Sequence, residues 1–241
     1  MPAPRFFVAI DCAEGVEFDL GRDDAHHVTN VLRMQPGERL VAIDGNGPWD
    51  ADVTVMSKGR VRVRPVGRSN EVGGELPVEI DVLQAVTRGA KFDEVVEKCV
   101  ELGAQRIVPI ACARSYAEAT PTRVDRWRRI ARSAAQQSRR RIVPFVADPL
   151  SWEEAVRTTS IPLIVGWEGA QRGTLAAVLK QIDTSSPMAI AIGPEGSFTE
   201  DELELARTAH AELVSLGPMI LRTQTAAAAL ISAMAALRGW W

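Results

Sequence analysis

Cysteine is scarce in this chain: Cys12, Cys99 and Cys112 are the only three, and they lie far apart. That pattern fits neither a disulfide framework nor a zinc spacing, and it points to a reducing cytosol. Histidine is as rare. His26-His27 is an adjacent pair whose members cannot share a helix face, and no Cys, Asp or Glu completes a ligand set, so no metal site is expected. His210, near a helix end, also reads as structural. A G-x-x-x-x-G-K-[ST] run is missing, which excludes a P-loop, and G-x-G-x-x-G is missing, which excludes the dinucleotide fingerprint. No apolar run reaches the ~20 residues that a membrane span requires. The opening MPAPRFFVAIDC lacks the apolar core of a signal peptide.

What is present is ordinary for a soluble globular protein, 46% hydrophobic and 24% charged, with a net charge of −3. A slightly acidic total argues weakly against nucleic acid, but the distribution is uneven. From Arg123 to Arg141 there are eight arginines and no lysine against one acid, Asp125. Arginine's planar fork suits phosphate contact and stacking on bases, so this stretch is expected to bind phosphate.

Two domains are expected, 1–72 and 73–241. The first reads as a small β domain with strands Arg5–Ile10, Arg39–Ile43, Asp52–Met56 and Arg60–Val66, interrupted by one helix over Asp24–Arg33. Asp44-Gly45-Asn46-Gly47 is a hairpin signal. Arg60, Arg62 and Arg64 alternate with Val61, Val63 and Pro65, so one strand face is basic. That face is either an RNA surface or a solvated one. Val72–Pro77 is the linker, and beyond it strands and helices alternate, as in a parallel α/β sheet. Strands are expected over Val78–Val86, Arg106–Ile110, Ile161–Gly166 and Ala189–Ile192. Helices are expected over Lys91–Leu102, stopped by Gly103, from Pro121 through the arginine-rich stretch, and over Leu175–Ile182.

The chain centres on Ala189–Leu237, which contains two similar units. In the first, strand Ala189–Ile192 breaks at Gly193-Pro194-Glu195-Gly196, and Thr199 starts a helix running to His210 with Glu202 in capping-box position. In the second, strand Leu213–Leu216 breaks at Gly217-Pro218, and Thr223 or Thr225 opens the small-residue helix Ala226–Leu237. Both loops leave the same end of a parallel sheet, where open α/β sheets bind ligands. Gly193, Gly196 and Gly217 let backbone approach a ligand closely, and a backbone-lined slot with little positive charge suits a neutral ring such as adenine. One strong cation, Arg222, stands beside Thr223, Gln224 and Thr225.

GPEGSFTEDELELA followed by SLGPMILRTQTAAAAL resembles the RsmE family of ribosomal RNA methyltransferases, within the knotted SPOUT superfamily. HHVTNVLRMQPGE, QAVTRGAKFDEVVEKCVELGAQRIVPI and AAQQSRRRIVP extend the resemblance over nearly the whole chain. The family forms are GPEGG and LG-x-x-ILRTETA, so Ser197 replaces a glycine and Gln224 a glutamate. Arg139 stands where the family's QQS tract continues with glycine.

The resemblance implies a PUA-like β-barrel RNA-binding domain followed by a SPOUT-type trefoil-knotted parallel-sheet methyltransferase domain. It implies S-adenosyl-L-methionine as cofactor and N3 of a specific uridine in 16S rRNA of the small ribosomal subunit as methyl acceptor. It further implies a cytoplasmic homodimer. The cofactor is expected against Gly166, Trp167, Ile192, Gly193, Pro194, Glu195, Gly196, Leu216, Gly217, Ile220 and Leu221. Arg222, Gln224 and Thr223 are expected at the reaction, and Arg5, Arg33, Arg139, Arg140 and Arg141 on RNA. Gln224 cannot accept a proton at neutral pH, so the base lies elsewhere, or Arg222 acidifies the nucleobase, or this copy is slow or inactive. A non-catalytic RNA-binding assembly protein and a methyltransferase acting on tRNA ribose stay open at this point.

Overall fold

A computed structural model describes residues 3–57, 59–71, 73–115, 117–170, 174–183 and 185–240. Val72, the first linker residue, lies outside them. The chain divides into two compact units, Met1–Gly74 with Gln136–Ile142, and Glu75–Ala135 with Val143–Trp241. The boundary read near residue 72 therefore has an exception. Gln136–Ile142 belongs with the first unit, where a Cβ on Gly73 would sit 2.9 Å from the Arg139 carbonyl.

The first unit is a five-stranded sheet. Its strands are β1 (Arg5–Phe7), β2 (Phe18–Asp19), β3 (Arg39–Asp44), β4 (Gly47–Ser57) and β5 (Arg60–Arg68), in the order β1-β3-β4-β5-β2. Alternation does the work here: Val53, Val61 and Val63 are essentially fully buried, while Arg60 and Arg64 face out. The β3–β4 hairpin turns at Gly45-Asn46, and the buried Asp44 carboxylate accepts from the backbone N–H of Cys12 and Asn46 and from Trp49 Nε1.

The single helix expected over Asp24–Arg33 is instead α1 (Arg22–His26) followed by a π-helical turn, His27–Val31. Leu32 N–H reaches the His27 carbonyl at 2.9 Å, the wider spacing of a π turn. Val28, Thr29 and Val31 are β-branched and hold a regular helix poorly. His26 shares a hydrogen bond of 2.9 Å with Asn30, and the His27 ring stands edge-on to Phe6.

The second unit is a parallel sheet with helices on both faces. In chain order it holds β6 (Ile80–Ala85), α2 (Lys91–Glu101), β7 (Arg106–Ala111), α3 (Pro121–Gln137), β8 (Phe145–Val146), β9 (Leu150–Ser151) and α4 (Trp152–Thr158). It continues with β10 (Leu163–Gly166), α5 (Leu175–Gln181), β11 (Met188–Ile192), α6 (Glu200–Thr208), β12 (Glu212–Val214) and α7 (Thr223–Arg238). The last two residues of α3 fall within the segment assigned to the first unit. The sheet order is β12-β10-β11-β6-β7-β8, with β9 also pairing β7. α4 and α6 pack one face with Leu83, Val108 and Ala191, and α7 lies on the other against α2 and β11.

Local signals set the helix limits. α2 stops where Gly103 takes φ +100° and Ala104 N–H returns to the Cys99 carbonyl, a Schellman closure. α6 opens with the expected capping box, Thr199 Oγ1 accepting from Glu202 N–H and the Glu202 carboxylate from Thr199 N–H. It closes through His210 at φ +60°, with His210 N–H on Arg207 O and Ala211 N–H on Ala206 O. His210 thus occupies the position that a Schellman motif usually gives to glycine.

Candidate active site

β6 and β11 are neighbours, yet the chain leaves them in opposite directions. From β6 it passes through α2 to β7, and from β11 through α6 to β12 on the far side of β10. Such a reversal opens a crevice beyond the strands' carboxyl ends. A cavity of about 390 Å³ lies there, within the ~300–1,000 Å³ usual for small-molecule sites. Its walls are Gly166-Trp167-Glu168 after β10, Ile192–Glu195 with Ser197 and Phe198 after β11, and the continuous run Ser215–Gln224 after β12, with Ala226 and Lys91.

Every residue expected at the cofactor and the reaction lines this cavity except Gly196. The turn closed by Ser197 N–H on the Pro194 carbonyl, at 2.9 Å, carries Gly196 outward. There its carbonyl accepts from Arg114 Nη1 at 2.9 Å, and a Cβ would lie 3.1 Å from Arg114 Cβ. Gly196 leaves room for that approach.

The walls are of two kinds. Ile192 and Phe198 are buried, whereas Met219 and Ile220 are 73% and 84% exposed. Gly166 is tight: a Cβ would come within 2.8 Å of Ile192 Cδ1. At the rim Lys91 Nζ and Glu195 Oε1 stand 3.3 Å apart, joining the start of α2 to the loop after β11. Sequence reading missed Lys91, because only the sheet order brings it to Glu195. Arg222 is the N-cap of α7; its carbonyl accepts from the N–H of Thr225 and Ala226, and its side chain makes no capping bond. Thr223 is buried and Gln224 half-buried beside it.

Backbone-rich walls, an apolar lining and a rim carrying both charge signs fit an adenine-bearing cofactor of mixed polarity. All three cysteine thiols are shifted toward their neutral form. Burial pushes Cys99 up to about 12, and burial followed by Asp44 pushes Cys12 up to about 11. Burial, then Glu202, raises Cys112 as well.

The arginines divide sharply. On β5, Arg60 grips Asp19 with two bonds of 2.7 and 2.6 Å, Arg64 holds Glu17 at 2.6 Å, and Arg62 lies between both acids. The basic face read from the alternation is an ion-pair ladder. On α3, Arg126 pairs with Asp93, Arg128 with Asp148, and Arg123 donates to the carbonyls of Glu118 and Thr87.

Of the five residues expected on RNA, Arg5 and Arg140 are buried, at 6% and 2% exposure, and the structure corrects both. Arg5 Nη2 donates to the Arg140 carbonyl and Nη1 pairs with Glu71 at 3.1 Å. They brace the first unit and are withdrawn from solvent. Arg33, Arg139 and Arg141 are exposed, with Arg139 also on Glu71 at 3.3 Å.

A family model described as an RNA methyltransferase domain matches residues 74–235, and one described as an RNA methyltransferase PUA domain matches 20–66. The ribosomal RNA small subunit methyltransferase E of Mycobacterium tuberculosis is 33% identical, over 100% of this chain and 94% of its own length. The solved structure of the same-named Neisseria gonorrhoeae protein bound to S-adenosyl methionine superposes with a TM-score of 0.89 at 32% identity, covering 98% of both chains. A Legionella pneumophila protein solved with that cofactor gives 0.90 at 28% identity, again over 98% of both. With its α/β parallel sheet, its PUA-type first unit and this similarity along its whole length, the chain belongs to the ribosomal RNA small subunit methyltransferase E family.

Proposed function

We propose that this protein transfers the methyl group of S-adenosyl-L-methionine to N3 of a uridine in 16S rRNA. The observation that supports this best is the meeting of three strand-end loops in one cavity with Arg222 on its wall. When bound, the cofactor supplies an electrophilic methyl group on a sulfonium. Ile192, Leu216, Ile220 and Leu221 with the backbone of Gly193 and Gly217 would hold its adenine, and Trp167, Glu168 and Glu195 would serve its polar end.

Uracil N3 carries a proton and attacks well only after losing it. Arg222 and the first N–H groups of α7 would stabilise the negative charge spread over the neighbouring carbonyl oxygens, because a helix N-terminus and a guanidinium act in the same sense. Gln224 holds a carboxamide where a carboxylate base is familiar, so it orients the ring by hydrogen bonds while water takes the proton. Thr223, buried against the cavity wall, fixes the turn that presents both neighbours. Orientation of the uracil is then the main contribution of the protein.

RNA contact falls to Arg33, Arg139 and Arg141, which set register on phosphates. A homodimer, a knotted chain path through the second unit, a cytoplasmic setting and an assembled small subunit as substrate complete the proposal. The resemblance supports these four. Among the described residues no helix is long and apolar enough to cross a membrane.

The test is methyl incorporation from labelled S-adenosylmethionine into small subunits from a strain lacking this gene, followed by nucleoside analysis. A 3-methyluridine product is expected. No product, with cofactor binding intact by calorimetry, would replace this reading with an RNA-binding one.

A further inference from the structure

The strongest unabsorbed feature is Arg114, in the loop after β7, which no sequence argument singled out. Its own loop is built to hold it still. Cys112 N–H donates to Ser115 Oγ at 3.0 Å, Ser115 N–H returns to the Cys112 carbonyl at 2.9 Å, and Ala113 N–H donates to Glu202 Oε1 at 2.7 Å. Glu202 is also the capping-box acid of α6. The base of Arg114 is thus tied to the helix that follows the cavity loop.

From that base, Arg114 Nη1 reaches the carbonyl of Gly196 at 2.9 Å and that of Phe198 at 3.4 Å. These two carbonyls flank Ser197, which holds φ +62°. A residue with a Cβ is disfavoured in that conformation, so the turn stays in place only if neighbouring contacts determine it. Ser197 and Phe198 both face the cavity. Gly196 leaves room for the arginine stem, since a Cβ would crowd its Cβ at 3.1 Å and its Cδ at 3.4 Å.

We infer that Arg114 is a positioning residue for the cofactor: its guanidinium clamps the two carbonyls around Ser197 and thereby holds the Gly193–Phe198 wall in its binding conformation. This rests on the cofactor reading above, while the contact itself is within the protein.

The experiment titrates S-adenosylmethionine calorimetrically into full-length wild type, Arg114→Ala and Arg114→Lys, with melting temperature and amide hydrogen exchange on the same samples. Arg114→Ala is expected to raise the cofactor Kd about tenfold, or about 1.4 kcal/mol, and to speed exchange across residues 193–198. Its melting temperature should move by less than about 4 °C, the size of a 1 kcal/mol change in a chain this long. Arg114→Lys, which keeps the charge and one donor, should recover part of the affinity. Unchanged Kd and unchanged exchange would overturn the inference, as would a fall in melting temperature with affinity intact, because Arg114 would then be merely structural. If wild type fails to bind, the cofactor reading falls, and exchange in residues 193–198 still decides for or against the clamp.

Discussion

Two of the three loops that wall the cavity carry similar Gly-Pro breaks and are held in opposite ways. Gly193–Phe198 is stitched down. Arg114 bonds two of its carbonyls, the turn closes on Pro194, and Phe198 is buried with its ring 4.7 Å from that of Trp152. Ser215–Leu221 is loosely held, with Ser215 Oγ donating to the Gly217 carbonyl and Met219 and Ile220 standing out in solvent. One wall is therefore fixed by contacts within the protein, and the other carries exposed apolar surface that a ligand would cover. A preformed wall lowers the ordering cost of binding, whereas the burial gained on the looser wall is partly offset by ordering its loop.

Phe198→Ala should do the most damage. Deleting a buried aromatic ring costs about 3–5 kcal/mol, and the denaturant midpoint of the variant should fall accordingly. If stability barely moves, the first wall is not the rigid one. Arg222→Ala comes next, acting on catalysis instead of folding. Loss of one stabiliser of developing charge costs about 100–1,000-fold in turnover, so 3-methyluridine formation should collapse while cofactor affinity changes little. A large loss of cofactor binding would refute the role assigned to Arg222.

Ile220→Ser probes the loose wall. At 84% exposure the side chain contributes almost nothing to folding, so melting should shift by no more than about 0.5 kcal/mol equivalent. The cofactor Kd should nevertheless rise by about tenfold, since burying such a side chain is worth roughly 1.5 kcal/mol or more. An affinity equal to wild type would show that the second wall does not close on the ligand.

The smallest effect is a gain. Ser197→Gly relieves a left-handed backbone and should stabilise the protein by about 1 kcal/mol, read as a higher midpoint in urea. Arg139→Gly, at φ +61°, should gain less, because it also gives up the ion pair with Glu71. Both positions are glycine in the family form, and the structure supplies the reason: each requires a conformation that glycine adopts without strain.

Much of this was readable in advance, and the particular successes share a cause. The capping box at Thr199–Glu202, the stop at Gly103, the Gly45-Asn46 turn and the strand–helix alternation depend on residues a few positions apart. The cavity itself was inferred from two such local breaks leaving one sheet edge. The misreadings also share a cause. Arg60, Arg62 and Arg64 looked like a free basic face because their partners, Glu17 and Asp19, lie some forty residues earlier and meet them only when β2 pairs with β5. Arg5 looked like an RNA contact until Glu71 and the Arg140 carbonyl closed around it. The short β8, β9 and α4 between Phe145 and Thr158 carry too few residues to show a period.

Periodicity, capping and turn chemistry are short-range, so the chain's order of residues alone carried most of the element types, the two Gly-Pro breaks and the resemblance to the family. Which charges find partners, which loop is pinned and which is left open depend on residues eighty or a hundred positions apart, as Arg114 with Gly196 and Lys91 with Glu195 show. Those pairings exist only because the sheet reverses its winding between β6 and β11, and that reversal is a property of the folded chain.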